Sequence, residues 1–353
     1  MKTRFYIRPM GRLSSVTGEG RVLAVGGRPE ASFAAAEIIE RNATSVRRRL
    51  VTAAELATIP HAGLEPVLQN IAAPRPAVAG IALKRTLLMG VVNVTPDSFS
   101  DGGRHLDPGV AVAHALELEA EGADILDIGG ESTRPGADPI PVEEECRRVL
   151  PVIEALVRQA RAPISIDTRN AEVMRRAAAA GARIINDVSA LTHDPASMAV
   201  AARTGLPVVL MHAQGDPRTM QQNPVYADVV LDIYDWLEAR IAACERAGIA
   251  RERLVVDPGI GFGKTLTHNL AVLGSLSILH GLGCAVLLGA SRKSFIAKLT
   301  GAPPGERLPG SLAAALLGAS QGVQIIRVHD VAATRQALAV WNGAAAETNP
   351  SQA

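Results

Sequence analysis

Residues 163–212 read PISIDTRNAEVMRRAAAAGARIINDVSALTHDPASMAVAARTGLPVVLMH. Three short apolar runs, PISID, RIIND and PVVLMH, each stop abruptly at a polar residue: Asp167, Asp187 and His212. The stretches between them are long enough for a loop and a helix. A short apolar run bounded by turn formers reads as a strand buried on both faces, the pattern of a parallel sheet. The rhythm continues outward in both directions. Upstream, LLMGVVN ends at Asn93 and ILDIGGEST at Thr133. Downstream, LVVD ends at Asp257, AVLLGASRK at Lys293 and QIIRVH at His329. Eight strands alternating with helices predict an α/β fold, a (β/α)8 TIM barrel, which keeps its chemistry at the carboxyl ends of its strands. Those strand ends are therefore the candidate site.

The chain has 353 residues, and the barrel is assigned to residues 81–345, near the roughly 250 residues such folds use. Residues 1–80 form an N-terminal extension, read as a small α+β module of unassigned role, and 346–353 as a flexible tail. In the extension, RFYIRPMG and RVLAVGG read as strands, and SFAAAEIIERNATSVRRRLVTAAEL as a helix with an apolar face through Ala35, Ile38, Ile39 and Val46. Arg47, Arg48 and Arg49 read as a solvated face, and AAPRPAVAG (72–80) as a linker or a plug for the barrel bottom. Barrel helices are expected from about Pro108 and near Val142–Gln159, Asn170–Ala180, Pro195–Thr204, Tyr226–Ala247, Leu266–Leu279, Ser311–Gly322 and Val331–Trp341. Long connections at Thr95–Asp107, Ser132–Pro141 and Arg292–Leu308 have the length of binding loops.

A net charge of +1 and 3% aromatic residues give no field and few stacking platforms for nucleic acid. No stretch is long and apolar enough to span a membrane, and the N-terminus MKTRFYIRPMGRL lacks the apolar core of a secretory signal. The expectation is a cytoplasmic protein without nucleic-acid or membrane partners. Cys146, Cys244 and Cys284 form no C-x-x-C pair and read as buried thiols.

DPGIGFGKT (257–265) resembles a phosphate loop, but Pro258 stands where that loop needs a glycine N–H, so the reading is rejected. What remains is a strand-end carboxylate, Asp257, before a glycine-rich turn. Asp167, Asn186 and Asp187 sit at further strand ends, where each is either a helix cap or part of a site. Sheltered carboxylates suit a ligand rich in N–H groups, such as an aminopyrimidinone ring. Cationic candidates are Arg134, Lys293, Arg327 and His329. Arg327 and His329 are two apart on a strand and share a side. They are either an anion site or partners for buried carboxylates. Asn93 offers a neutral oxygen for Mg²⁺, which takes few protein ligands beside an anion. The loop after it, with Asp97, Phe99 and Asp101, reads as a lid. Met211 and His212 read as wall.

Taken in order, NVTPDSFSDGG (93–103), DIGGESTRPGA (127–137), SIDT (165–168), INDVSAL (185–191), LMH (210–212), DPGIGFGK (257–264), SRKSFI (291–296) and RVHD (327–330) resemble dihydropteroate synthase. The resemblance covers about residues 81–345 and implies a (β/α)8 barrel of folate biosynthesis, a sulfonamide target. That family condenses 6-hydroxymethyl-7,8-dihydropterin diphosphate with 4-aminobenzoate, releasing diphosphate. It further implies that Asp167, Asn186, Asp257 and Lys293 hydrogen-bond the pterin, against which Met211 packs. Asn93 would hold Mg²⁺, while Arg327, His329 and Arg134 would receive the leaving group. Thr133, Pro135, Phe262 and Ser294 would line the aminobenzoate site, with Phe99 and Asp101 arriving on the first loop. A homodimer is expected. The extension of some eighty residues departs from common members. Rival readings are a pterin-dependent methyltransferase barrel, which has no need of SRK and RVH together, and a catalytically silent homologue.

Overall fold

The computed structural model describes residues 3–10, 23–59, 63–95, 107–132, 138–215 and 219–347. Eight parallel strands close into a barrel: β6 (Leu87–Asn93), β7 (Ile125–Gly129), β8 (Ile164–Asp167), β9 (Ile184–Asp187), β10 (Val208–Met211), β11 (Leu254–Asp257), β12 (Ala285–Leu288) and β13 (Ile325–Val328). Outside them lie α3 (Pro108–Glu121), α4 (Val142–Gln159), α5 (Ala171–Ala180), α6 (Ser197–Thr204) and α7 (Val229–Arg246). The ring continues with α8 (Leu266–Leu273), α9 (Ser294–Thr300), α10 (Leu308–Ser320) and α11 (Val331–Glu347).

Alternation along each strand sorts side chains to the two faces of the sheet. Leu88, Leu126, Ile185, Leu210, Val256 and Ile326 point outward into the core shared with the helices. Leu87, Met89, Ile125, Ile184, Val209, Val255, Leu287 and Ile325 point inward and fill the lower barrel. Val78 and Leu83 pack with this inner layer, and Val78 and Ile81 exchange backbone bonds at 2.9 and 3.0 Å. The segment before β6 is thus a plug, one of the two roles expected of it. Continuing the same parity upward brings Asp127, Ser165, Asn186, Met211, Asp257 and Arg327 inward, and above them Asn93, Asp167 and His329.

The extension differs from expectation. The stretch predicted as a helix forms β4 (Ala35–Arg41) and β5 (Val46–Thr52), joined by a tight turn, and only α1 (Ala53–Leu56) is helical. The Asn42 side chain holds that turn by accepting from the N–H groups of Thr44 and Ser45. Ile38 and Ile39 are both buried because the sheet is covered on both faces, a demand that a helix stripe does not make. β1 (Arg4–Met10) pairs with β4, β2 (Leu23–Val25) with β3 (Arg28–Phe33), and α2 (Glu65–Ala72) completes the module. Arg47, Arg48 and Arg49 are exposed, as expected.

Some boundaries also shift. β7 stops at Gly129 rather than at Thr133, and β12 at Leu288 rather than at Lys293. The helix expected over 266–279 ends at Leu273 and gives way to a 3₁₀ segment, Leu276–Leu282, against which β1 packs. The long connection 292–308 contains α9, and α10 begins at Leu308. All three cysteines are buried and free.

Candidate active site

The interior of the upper barrel holds charge where the lower barrel holds aliphatic side chains. Arg327 donates from Nε to Asp127 Oδ2 at 2.6 Å and from Nη2 to Asp167 Oδ2 at 2.7 Å. Asn186 Nδ2 also donates to Asp127 Oδ2, at 3.0 Å. Asp127 and Asp167 lie on neighbouring strands, where Gly129 pairs with Asp167 and leaves space beside its carboxylate. Gly289 lies between Asp257 and Arg327: a Cβ there would stand 3.7 Å from Asp257 Oδ2 and 3.9 Å from Arg327 Cβ.

These groups perturb one another. Burial pushes the Asp167 carboxyl up to about 7, opposed by Arg327 and reinforced by Asp127. Asp257 is raised by burial, although Lys293 and the Gly259 N–H oppose the shift. Burial lowers Lys293 to about 8 despite the attraction of Asp257. Burial alone would pull Arg327 down, but Asp127 and Asp167 hold it above its ordinary value. Acids raised and a lysine lowered in one cleft are the pattern that burial and close charges produce at a candidate site.

Among the described residues, three buried oxygens in this cluster have no hydrogen-bond partner: Asp127 Oδ1, Ser165 Oγ and Asp167 Oδ1. Leaving such groups unmet costs about 1–3 kcal/mol each. They form a row of acceptors looking for donors, on the same inward parity as Asn186.

The turn after β11 forms the wall opposite. Asp257 Oδ1 accepts from Gly259 N at 2.7 Å. Lys293 Nζ bonds Ile260 O and sits 4.6 Å from the centre of the Phe262 ring. Met211 is buried beside Gly259. His212 is buried and neutral, held down at about 3 by burial and then by Lys264, in keeping with a wall residue. His329 follows β13 and its Nδ1 lies 3.1 Å from Ser291 Oγ. Ser294 is exposed at the start of α9.

Asp167, Asn186, Met211, Asp257, Phe262, Lys293 and Arg327 are thus brought together, with Asn93, Ser294 and His329 toward the rim. Asp101, Thr133 and Arg134, with Phe99 and Pro135, lie outside the described residues. Asp187 takes the local capping role, one of the two readings open to it. Its parity turns it outward, where it accepts from the Ser189 and Leu191 N–H groups and staples the turn. Arg327 realises the alternative of an inward cation paired with buried carboxylates, because Asp127 needs compensation in the dry barrel. Asp127 and Ser165 escaped the sequence reading. The signal for Asp127 was there, a lone acid inside the apolar run ILDIG, hidden by placing the strand end at Thr133.

Asn93 is, among the described residues, the donor expected of a metal site. Among the described residues no three His, Cys, Asp or Glu side chains are grouped to hold an ion. Asn93 is half-buried and inward by parity, a neutral oxygen fitting an ion that draws its other ligands from water and phosphate. Among the described residues no helix is long and apolar enough to cross a membrane.

The fold and site define a pterin-binding barrel: the family described as pterin binding enzyme matches residues 89–329. The chain is 51% identical over 253 residues to dihydropteroate synthase of Escherichia coli strain K12, covering 72% of this chain and 89% of that protein. It is similar to the Xanthomonas albilineans dihydropteroate synthase solved with 4-aminobenzoic acid, with TM-score 0.71 and 54% identity over 75% of this chain and 94% of that one. The same enzyme solved with 7,8-dihydropteroate matches with TM-score 0.70 and 51% identity, over 77% and 98%. The chain belongs to the dihydropteroate synthase family.

Proposed function

We propose that the chain joins 6-hydroxymethyl-7,8-dihydropterin diphosphate to 4-aminobenzoate, giving 7,8-dihydropteroate and diphosphate. The observation that carries this reading is the row of unmet acceptors at Asp127, Ser165 and Asp167, beside the amide of Asn186. The aminopyrimidinone edge of a pterin presents N–H donors to such a row and a carbonyl to a cation, for which Lys293 stands opposite. The relatives solved with 4-aminobenzoic acid and with dihydropteroate support the choice of ligands.

In the reaction the bond between the pterin methylene and the diphosphate oxygen breaks, and the electron pair leaves with diphosphate. The arylamine nitrogen then forms the new C–N bond and gives up a proton. Asp167, Asn186 and Asp257 hold the ring, with Met211 against its face. Arg327 balances the Asp127 and Asp167 carboxylates and, with His329 and Arg134, receives the departing anion. One preorganised donor of this kind contributes about 2.7–4 kcal/mol. Asn93 would hold Mg²⁺, which neutralises diphosphate charge when bound. Asp101 would face the cationic methylene. Phe262, Thr133 and Ser294 would frame the aminobenzoate. The elements β1 to α2 of the extension act as a brace on the outside of the barrel, the active unit is a homodimer, and the protein works in the cytoplasm.

The test is incubation with the pterin diphosphate, labelled 4-aminobenzoate and Mg²⁺. Labelled dihydropteroate is the expected product. None from a folded preparation would overturn the assignment.

A further inference from the structure

The turn after β11 carries a lysine that no step above uses. Lys264 is 1% exposed. Its Nζ lies 2.9 Å from Gly259 O, 3.0 Å from Phe262 O, 3.3 Å from His212 O and 3.0 Å from His212 Nδ1. An ammonium has donors only, so His212 Nδ1 accepts and the imidazole carries its proton on Nε2. That ring is wedged edge-on against Trp236, with centroids 5.0 Å apart. The acceptors around Lys264 are carbonyls and a ring nitrogen rather than a carboxylate. Burying a cation on such terms is costly, and burial draws Lys264 down to about 7. An apolar side chain would fill the space at lower cost, which points to a task beyond packing.

The task is legible in the turn itself. Gly259 and Gly263 have positive φ, +69° and +60°, and a Cβ on either would come within 1.9 Å of His212 O or 2.4 Å of Gln214 O. The turn therefore lies backbone against backbone on the segment after β10. Each of its five carbonyls, from residue 259 to residue 263, meets a side-chain donor. Lys264 takes Gly259 and Phe262, Lys293 takes Ile260, Gln221 takes Gly261 and the Tyr226 hydroxyl takes Gly263. Lys264 alone binds two of them, and those two bracket the residue pair that presents the Phe262 ring to the site.

We propose that Lys264 is a positioning residue that sets the affinity for the arylamine substrate, by holding the 259–263 turn against β10 so that Phe262 stands as the wall of the aminobenzoate pocket. This rests on the reading of the site given above. Of the groups given to the pterin, Asp167 and Asn186 stand on β8 and β9, away from this turn. Asp257 and Lys293 touch it through Gly259 N and Ile260 O, so the aminobenzoate responds more strongly than the pterin.

Steady-state kinetics with both substrates, with calorimetric binding of the pterin diphosphate, tests it. In Lys264→Met the KM for 4-aminobenzoate rises by about tenfold or more, the loss expected for charge-assisted bonds, while kcat stays within about threefold. The dissociation constant of the pterin diphosphate rises by less, within about threefold of the parent's, because Asp167 and Asn186 are untouched. Tyr226→Phe removes one milder clamp of the same turn and raises the same KM by about threefold, and it carries the test should Lys264→Met not fold. An unchanged aminobenzoate KM in a folded variant overturns the proposal, as does an equal weakening of pterin binding. A parent protein that makes no dihydropteroate overturns the functional reading instead.

Discussion

At the mouth of the barrel, Arg327 joins Asp127 and Asp167, yet each carboxylate keeps an oxygen without a partner. At the seam between the N-terminal module and the barrel, charge is also buried, but it is spent on closing the joint. Tyr6 donates to Asp235 at 2.8 Å and stacks edge-on against Tyr234 at 5.1 Å. Arg75 donates to His280 O and Asn70 to Gly281 O, at the end of the 3₁₀ segment. Ser277 donates to Pro9 O at 2.7 Å. What the seam leaves unmet is mixed, the donors Arg75 Nε and Gln324 Nε2 and the ring nitrogen His280 Nδ1, whereas the mouth leaves carboxylate and hydroxyl oxygens. Both regions accept the cost of desolvated polar groups. Among the described residues of the two regions, the unmet groups at the mouth share the inward parity of neighbouring strands β7 and β8.

The comparison is open to direct tests. The largest effect is expected at Arg327. Arg327→Met strands two carboxylates, so stability falls by about 3–5 kcal/mol, measured by denaturant unfolding. Turnover falls at the same time by about 10²–10³-fold. Adding Asp127→Asn restores part of the stability and none of the turnover; recovery of both would mean that the pair only props the barrel.

Next comes Asp167. With a carboxyl near 7, it is a full acceptor above that pH and becomes protonated below it. Pterin binding therefore weakens as pH falls through about 7, and Asp167→Asn flattens that profile while weakening binding at pH 8 by about 10–100-fold. Stability runs the other way. A folded value raised above the ordinary 3.8 means that this group costs stability as pH rises from about 4 to 7. Asp167→Asn thus leaves the melting temperature at pH 8 no lower than the parent's. A lower one would show that the carboxylate is structural.

The smallest effect belongs to the seam. Tyr6→Phe deletes the bond to Asp235 and lowers stability by about 1 kcal/mol, with kcat/KM unchanged. A changed kcat/KM would mean that the module communicates with the mouth.

Much of this was legible before any coordinates. The β-branched runs identified eight strands, because a strand buried on both faces has no polar position to spare until it ends. Most of the site followed from the polar residues at those ends, with the family motifs assigning their roles. What failed did so for particular reasons. Asn186 and Asp187 are adjacent in sequence and equally polar, and only the barrel's inside and outside separate them. Asp127 was passed over because the run ILDIGGEST does not announce that its strand stops at Gly129. The Ile38–Ile39 pair reads as a helix face until a second layer covers the other side of the sheet.

Alternation and the polar strand ends determined the class of fold and named the candidate residues at one barrel mouth, since hydrophobic periodicity and the chemistry of side chains are local properties. Tertiary structure decided which acids face inward, that Arg327 spans two of them, and that Lys264 lies buried against the carbonyls of its own turn. Those outcomes depend on barrel closure and on contacts between residues far apart in sequence, such as Asp127 with Arg327, and no local pattern encodes which strand will lie opposite another.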